Sequence, residues 1–316
     1  MDPISPGERA SHFTTVPPPE QESLKPLKFL LLISSVLIFL LITLGGIVRV
    51  TDSGLACPDW PLCHGKFIPP RDLSIYIEYS HRLTATVVSL MLVITAIVTW
   101  LRYRYLQTVK TLLLISLGLL TLQVALGAIT VLKELPPHVV TAHLGIAELI
   151  FASVILALVW SKYPQTILIS PGQKNLVTLV LLGVLGTYIV IISGSYIVGN
   201  GSGPSCPSWP LCDGGIFPAT SSGLVHMSHR IIAGITTLLV GYLCFYILTN
   251  RDLPKVIRIT AIHIGILVAF QILVGAANPW SQFSPIFKAL HLSLATIIWG
   301  GVVVLLALLW RPRSNT

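Results

Sequence analysis

Two pairs of histidines carry most of the chemistry open to this sequence. His81 and His143 recur as His229 and His291, each 148 residues further along. A neutral imidazole ligates a metal ion or a haem iron, and two opposed imidazoles fill both axial positions of a haem. A structural zinc would ask for four protein ligands. Small residues lie near both pairs: Gly127, Ala128 and Gly145, then Gly275, Ala276 and Ala277. They give either room for a macrocycle or close helix packing. Arg82 and Arg230 directly follow His81 and His229, where a guanidinium can meet propionate carboxylates. Glu78 precedes His81 by three residues, and His226 holds that place before His229. Three residues make about one helical turn, so each shares a face with its histidine. Glu78 therefore either pairs with Arg82 or stabilises charge and moves a proton beside the site.

Four of the five cysteines form a second repeated pattern. Cys57-Pro58-Asp59-Trp60-Pro61-Leu62-Cys63 returns as Cys206-Pro207-Ser208-Trp209-Pro210-Leu211-Cys212. On an oxidising side of a membrane each pair can form a disulfide that shapes the loop or does redox work. Cys244 lies inside an apolar run and reads as a small buried hydrophobe. His12, His64, His138 and His263 are not read as ligands. His64, beside Cys63, keeps a secondary reading as a proton or electron relay.

These residues need a scaffold that the composition identifies. Hydrophobic residues make up 53% of the chain and charged residues only 10%. Soluble domains carry about 25% charged residues, so this chain cannot cover a water-facing surface. Eight apolar runs follow, at about 27–48, 79–101, 110–132, 138–160, 176–198, 226–249, 257–277 and 287–310. Each is long enough to cross a bilayer as a helix, and none alternates as a membrane barrel strand would. The net charge of +8 falls in short clusters between these runs, which argues for membrane topology rather than nucleic acid. Thirteen of the 20 basic residues lie on the side of both termini, placing the termini in the cytoplasm and the cysteine loops outside. Residues 1–24 read as a disordered cytoplasmic tail.

The cysteine phrase, Ser80-His81-Arg82, Gln123, Gly127 and His143 all recur at offsets of 148 or 149. The expected architecture is all-α and integral to the membrane: eight transmembrane helices as two tandem four-helix bundles. The halves span residues 25–165 and 170–312. An even number of helices per half makes this a parallel internal repeat.

The combination of Cys57–Cys63, Glu78-Tyr79-Ser80-His81-Arg82, Thr141-Ala142-His143-Leu144-Gly145, Ser228-His229-Arg230 and His291 resembles the haem A synthase family, over about residues 27–310. The resemblance implies an oxidoreductase of a bacterial plasma membrane. It would oxidise a methyl group of haem O to the formyl group of haem A, for cytochrome oxidase. It assigns the substrate haem to His81 and His143, a haem b to His229 and His291, and a catalytic role to Glu78. It pairs Cys57 with Cys63 in electron or substrate transfer; Cys206 and Cys212 match a pair found in some members. Implied partners are a haem O synthase that delivers the substrate, an electron partner, and a further copy of the chain as a homo-oligomer. The alternative is a non-enzymatic di-haem cytochrome that carries electrons across the membrane.

Overall fold

The computed structural model describes residues 23–162 and 174–310. The expected tail therefore falls outside the described residues, except for Ser23 and Leu24. Eight long helices follow one another: α1 Lys25–Val50, α2 Leu73–Arg102, α3 Gln107–Leu132, α4 Pro137–Lys162, α5 Lys174–Gly199, α6 Ser221–Thr249, α7 Lys255–Trp280 and α8 Pro285–Leu309. All eight are long and apolar enough to cross a bilayer. The protein is a multi-pass, all-α membrane protein.

Two helices begin earlier than the apolar runs suggest. α2 starts at Leu73 and α6 at Ser221, so His81 and His229 lie about two turns inside their helices and do not open them. The added turns mix polar and apolar residues, Leu73–Glu78 in α2 and Ser221–Val225 in α6. Each has its own N-cap: Asp72 accepts from the Ser74 and Ile75 amides, and Thr220 accepts from the Gly223 amide.

Within the first four helices, α1 packs on α2 and α4, and α3 on α4. The second four repeat this with α5 on α6 and α8, and α7 on α8. The two sets meet through α1, α4, α5 and α8. α4 and α8 are the most buried of the eight, and outward-facing leucines and isoleucines elsewhere suit lipid. The Thr296 hydroxyl donates to Glu148 Oε1 at 2.6 Å. These residues are 148 apart, so they are repeat equivalents that touch. Equivalent positions in mutual contact lie on the axis relating the halves, which therefore runs between α4 and α8. Arg49, at the end of α1, donates to the Val198 and Gly199 carbonyls at the end of α5. It thereby satisfies carbonyls that a helix C-terminus leaves unpaired.

Candidate functional site

Each of the four matched histidines rests on a glycine of the preceding helix. A Cβ at Gly45 would lie 3.0 Å from His81 Cε1, and at Gly127 3.2 Å from His143 Cε1. At Gly194 and Gly275 the distances to His229 and His291 Cε1 are both 3.1 Å. Any larger residue would push the imidazole, so these glycines set where each ring lies. Gly127 and Gly275 thus serve as seats for rings. Gly145 faces the Tyr188 hydroxyl and Ile192 instead. Gly45 and Gly194 were not picked out in the sequence, although they recur at the same offset as the cysteine loops.

His81 and His143 are close enough to interact electrostatically, as are His229 and His291. Their polar partners are few. Nδ1 is buried without a hydrogen bond in His81, His143 and His291. Only His229 has an Nδ1 partner, the Ser193 hydroxyl at 2.8 Å. The Gln123 amide lies 3.2 Å from His143 Nε2, and Gln271 occupies the matching place 3.5 Å from His291 Nε2.

Such a donor set fits a haem. Two imidazoles per half, seated on glycine and short of hydrogen-bond partners, offer nitrogen lone pairs in an apolar bundle. Ligation through Nε2 of His143 or His291 would need the glutamine amide to withdraw. Among the described residues no three metal-ligating side chains converge.

Above each pair sits a cysteine loop, closed by the disulfides Cys57–Cys63 and Cys206–Cys212. Both loops turn through residues of positive φ: His64 and Gly65 in one, Asp213 and Gly214 in the other. The bridges Cys63–Lys66 and Cys212–Gly215 flank these turns. This is the two-residue geometry that favours glycine at its second position. His64 is thus a turn residue, with Nε2 at 3.0 Å from the Ala56 carbonyl oxygen.

An arginine holds each loop to the helix below. Arg82 donates to the carbonyls of Cys57, Asp59 and Leu62 and to Glu78 Oε1. Those bonds use all five guanidinium donors. Arg230 donates to the carbonyls of Cys206, Ser208, Pro210 and Leu211. All the donors of Arg82 thus go to its loop and Glu78, whereas the loop bonds of Arg230 run from Nη1 and Nη2. Glu78 is buried, with Oε2 accepting the Cys57 amide at 2.8 Å and Oε1 held 2.5 Å from Arg82 Nη2. It therefore joins loop, arginine and the His81 helix. His226 stands in its place in the second half, beside the Phe283 ring.

A groove of about 580 Å³ opens between α3, α4 and α5, lined by His138, Thr141, Gly145 and Tyr188 among others. None of the four matched histidines lines it.

The chain matches, over residues 28–303, the family described as cytochrome oxidase assembly protein, COX15-CtaA. Among curated relatives, a protein named heme A synthase from Bacillus pumilus is 30% identical, over 87% of this chain and 93% of the relative. Heme A synthase from Staphylococcus carnosus is also 30% identical, over 91% and 95%. The Alkalihalophilus pseudofirmus protein of that name is 28% identical over 91% of this chain and 99% of its own length.

Proposed function

The chain belongs to the COX15-CtaA family of cytochrome oxidase assembly proteins, and from that premise we propose that it is a haem A synthase. It takes haem O as substrate and oxidises one methyl group to the formyl group of haem A. The observation that carries this reading is the doubled histidine pair, each ring on its own glycine seat. The N-terminal half, residues 25–165, holds the substrate iron through His81 and His143. The C-terminal half, residues 170–312, holds a resident haem b through His229 and His291. That haem supplies electron transfer when bound; the protein contributes orientation and keeps water out.

The chemistry needs the halves to differ, and Glu78 against His226 is a difference beside the ligands. Oxidising a methyl carbon releases protons, and a buried carboxylate one turn from His81 is placed to take charge or a proton. Its second oxygen on the Cys57 amide ties that role to the position of the outer loop. Arg82 and Arg230 keep their loops over the pockets. We place both termini in the cytoplasm of a bacterial cell and the disulfide loops outside, a reading supported by the basic clusters between the apolar runs.

The test is haem extraction. The protein is purified from cells that also make haem O, its haems are extracted in acidic acetone, and the extract is separated by chromatography. Haem b together with haem O or haem A is expected. Haem b alone, despite a supply of haem O, would overturn the synthase reading and leave a di-haem electron carrier.

A further inference from the structure

The two halves differ at the atom behind one ligand. In the C-terminal half, Ser193 Oγ lies 2.8 Å from His229 Nδ1. The same hydroxyl lies 3.0 Å from the Val190 carbonyl oxygen and donates to it. A serine hydroxyl has one hydrogen. When that hydrogen bonds the Val190 carbonyl, the serine oxygen accepts from His229, whose Nδ1 then carries the ring proton. The lone pair of His229 is then on Nε2. Among the four matched histidines, this is the one whose Nδ1 has a partner.

The repeat shows what stands at the matching place. Gly45 seats His81 as Gly194 seats His229, so Leu44 is the counterpart of Ser193. Leucine offers no acceptor, and His81 Nδ1 is buried without a partner. Neither tautomer of His81 is favoured by a hydrogen bond at Nδ1.

We propose that Ser193 is a positioning residue that makes the C-terminal pocket the retaining one, and that Leu44 makes the N-terminal pocket the releasing one. The inference rests on the assignment of a resident and an exchanging haem. Its physical basis is general. A hydrogen bond to the far nitrogen of a ligating histidine fixes its tautomer and orientation and makes it more basic, and losing such a partner costs about 10–100-fold in affinity. A pocket that must release product gains from lacking that bond.

The experiment uses the full-length protein, purified, loaded with haem b in both pockets and mixed with excess apomyoglobin. Haem transfer is followed in the Soret band, and midpoint potentials and low-spin electron paramagnetic resonance spectra are recorded. The unaltered protein should lose haem in a fast and a slow phase. Ser193→Ala should speed the slow phase about 10–100-fold and shift the potential of that haem. Ser193→Thr, which keeps the hydroxyl, should restore both. Leu44→Ser should slow the fast phase. A helix-packing role alone would move neither potential nor spectrum. An unchanged slow phase and spectrum in Ser193→Ala would overturn the proposal while leaving the two-haem reading intact. A protein that binds no haem at all would overturn both.

Discussion

The two halves share a scaffold and differ in a handful of side chains around the same rings. Glycine seats, glutamine amides, disulfide loops and arginine clamps appear twice, in register. Glu78 is matched by His226, Leu44 by Ser193, and Asp59 by Ser208. In the proposed reading, the shared set holds the haem between two imidazoles. The unshared set touches the loop, the back of one ligand and the charge beside it. On that reading, the duplication separates what holds a macrocycle from what makes one pocket behave unlike the other.

The sharpest way to test that separation is at Glu78. Glu78→Gln keeps the size and an acceptor but removes the charge. Arg82 retains its three loop carbonyls, so the fold should lose only about 1–3 kcal/mol. If the carboxylate acts in proton or charge transfer, haem A formation should fall about 10²–10⁴-fold with haem content unchanged. His226→Gln, the matching change in the other half, should leave haem A formation near normal. Extracted haems and product yield, measured for both variants, decide it; equal losses would erase the distinction between the halves.

The glycine seats give a smaller and more graded effect. Gly45→Ala would bring a Cβ to 3.0 Å from His81, and Gly194→Ala to 3.1 Å from His229. Overpacking of this kind costs about 1–3 kcal/mol when the neighbour cannot yield. His81 has no partner at Nδ1 and can shift, whereas His229 is tied to Ser193. Gly194→Ala should therefore weaken haem binding by about tenfold or more, and Gly45→Ala by less, despite the closer approach. Haem titration of each variant, with the Soret maximum as readout, checks the order.

Much of this arrangement could be read before any coordinates. The eight apolar runs and the fixed offset gave the spans and the histidine pairs, because bilayer thickness and duplication both leave long-range marks in sequence. The starts of α2 and α6 escaped because Glu78 interrupts the apolar run of α2 and Ser221, Ser222 and Gly223 open α6; Asp72 and Thr220, as N-caps, were the signal available. The partners of Arg82 and Arg230 escaped for a different reason. A guanidinium next to a ligand suits a propionate as well as a loop carbonyl, and only the fold of Cys57–Cys63 and Cys206–Cys212 brings those carbonyls within reach. Gly45 and Gly194 were hidden because a glycine in an apolar helix looks the same whether it faces lipid or a ring.

The smallest expected effect separates the outer loops by pH. Asp59 binds the turn below it twice, accepting the His64 amide at 2.6 Å and the Gly65 amide at 2.8 Å. Ser208, its counterpart, does this work with one neutral bond, accepting the Asp213 amide at 2.8 Å. The Gly65 amide most of all, then the His64 amide and the Arg82 charge, hold the Asp59 carboxyl below its ordinary value. A carboxyl lowered on folding stabilises the folded loop above the unfolded aspartate value of about 3.9, and that contribution fades as pH falls through the lowered value. Acid should therefore loosen the Cys57–Cys63 loop and spare the Cys206–Cys212 loop. Because Asp59 is only partly buried the change will be slight. Amide exchange of the His64–Gly65 turn, followed from neutral pH into acid, should rise relative to the Asp213–Gly214 turn, after allowing for intrinsic rates. Asp59→Asn, which has no charge to lose, should abolish that pH-dependent difference; if it persists, the aspartate is not what distinguishes the two loops in acid.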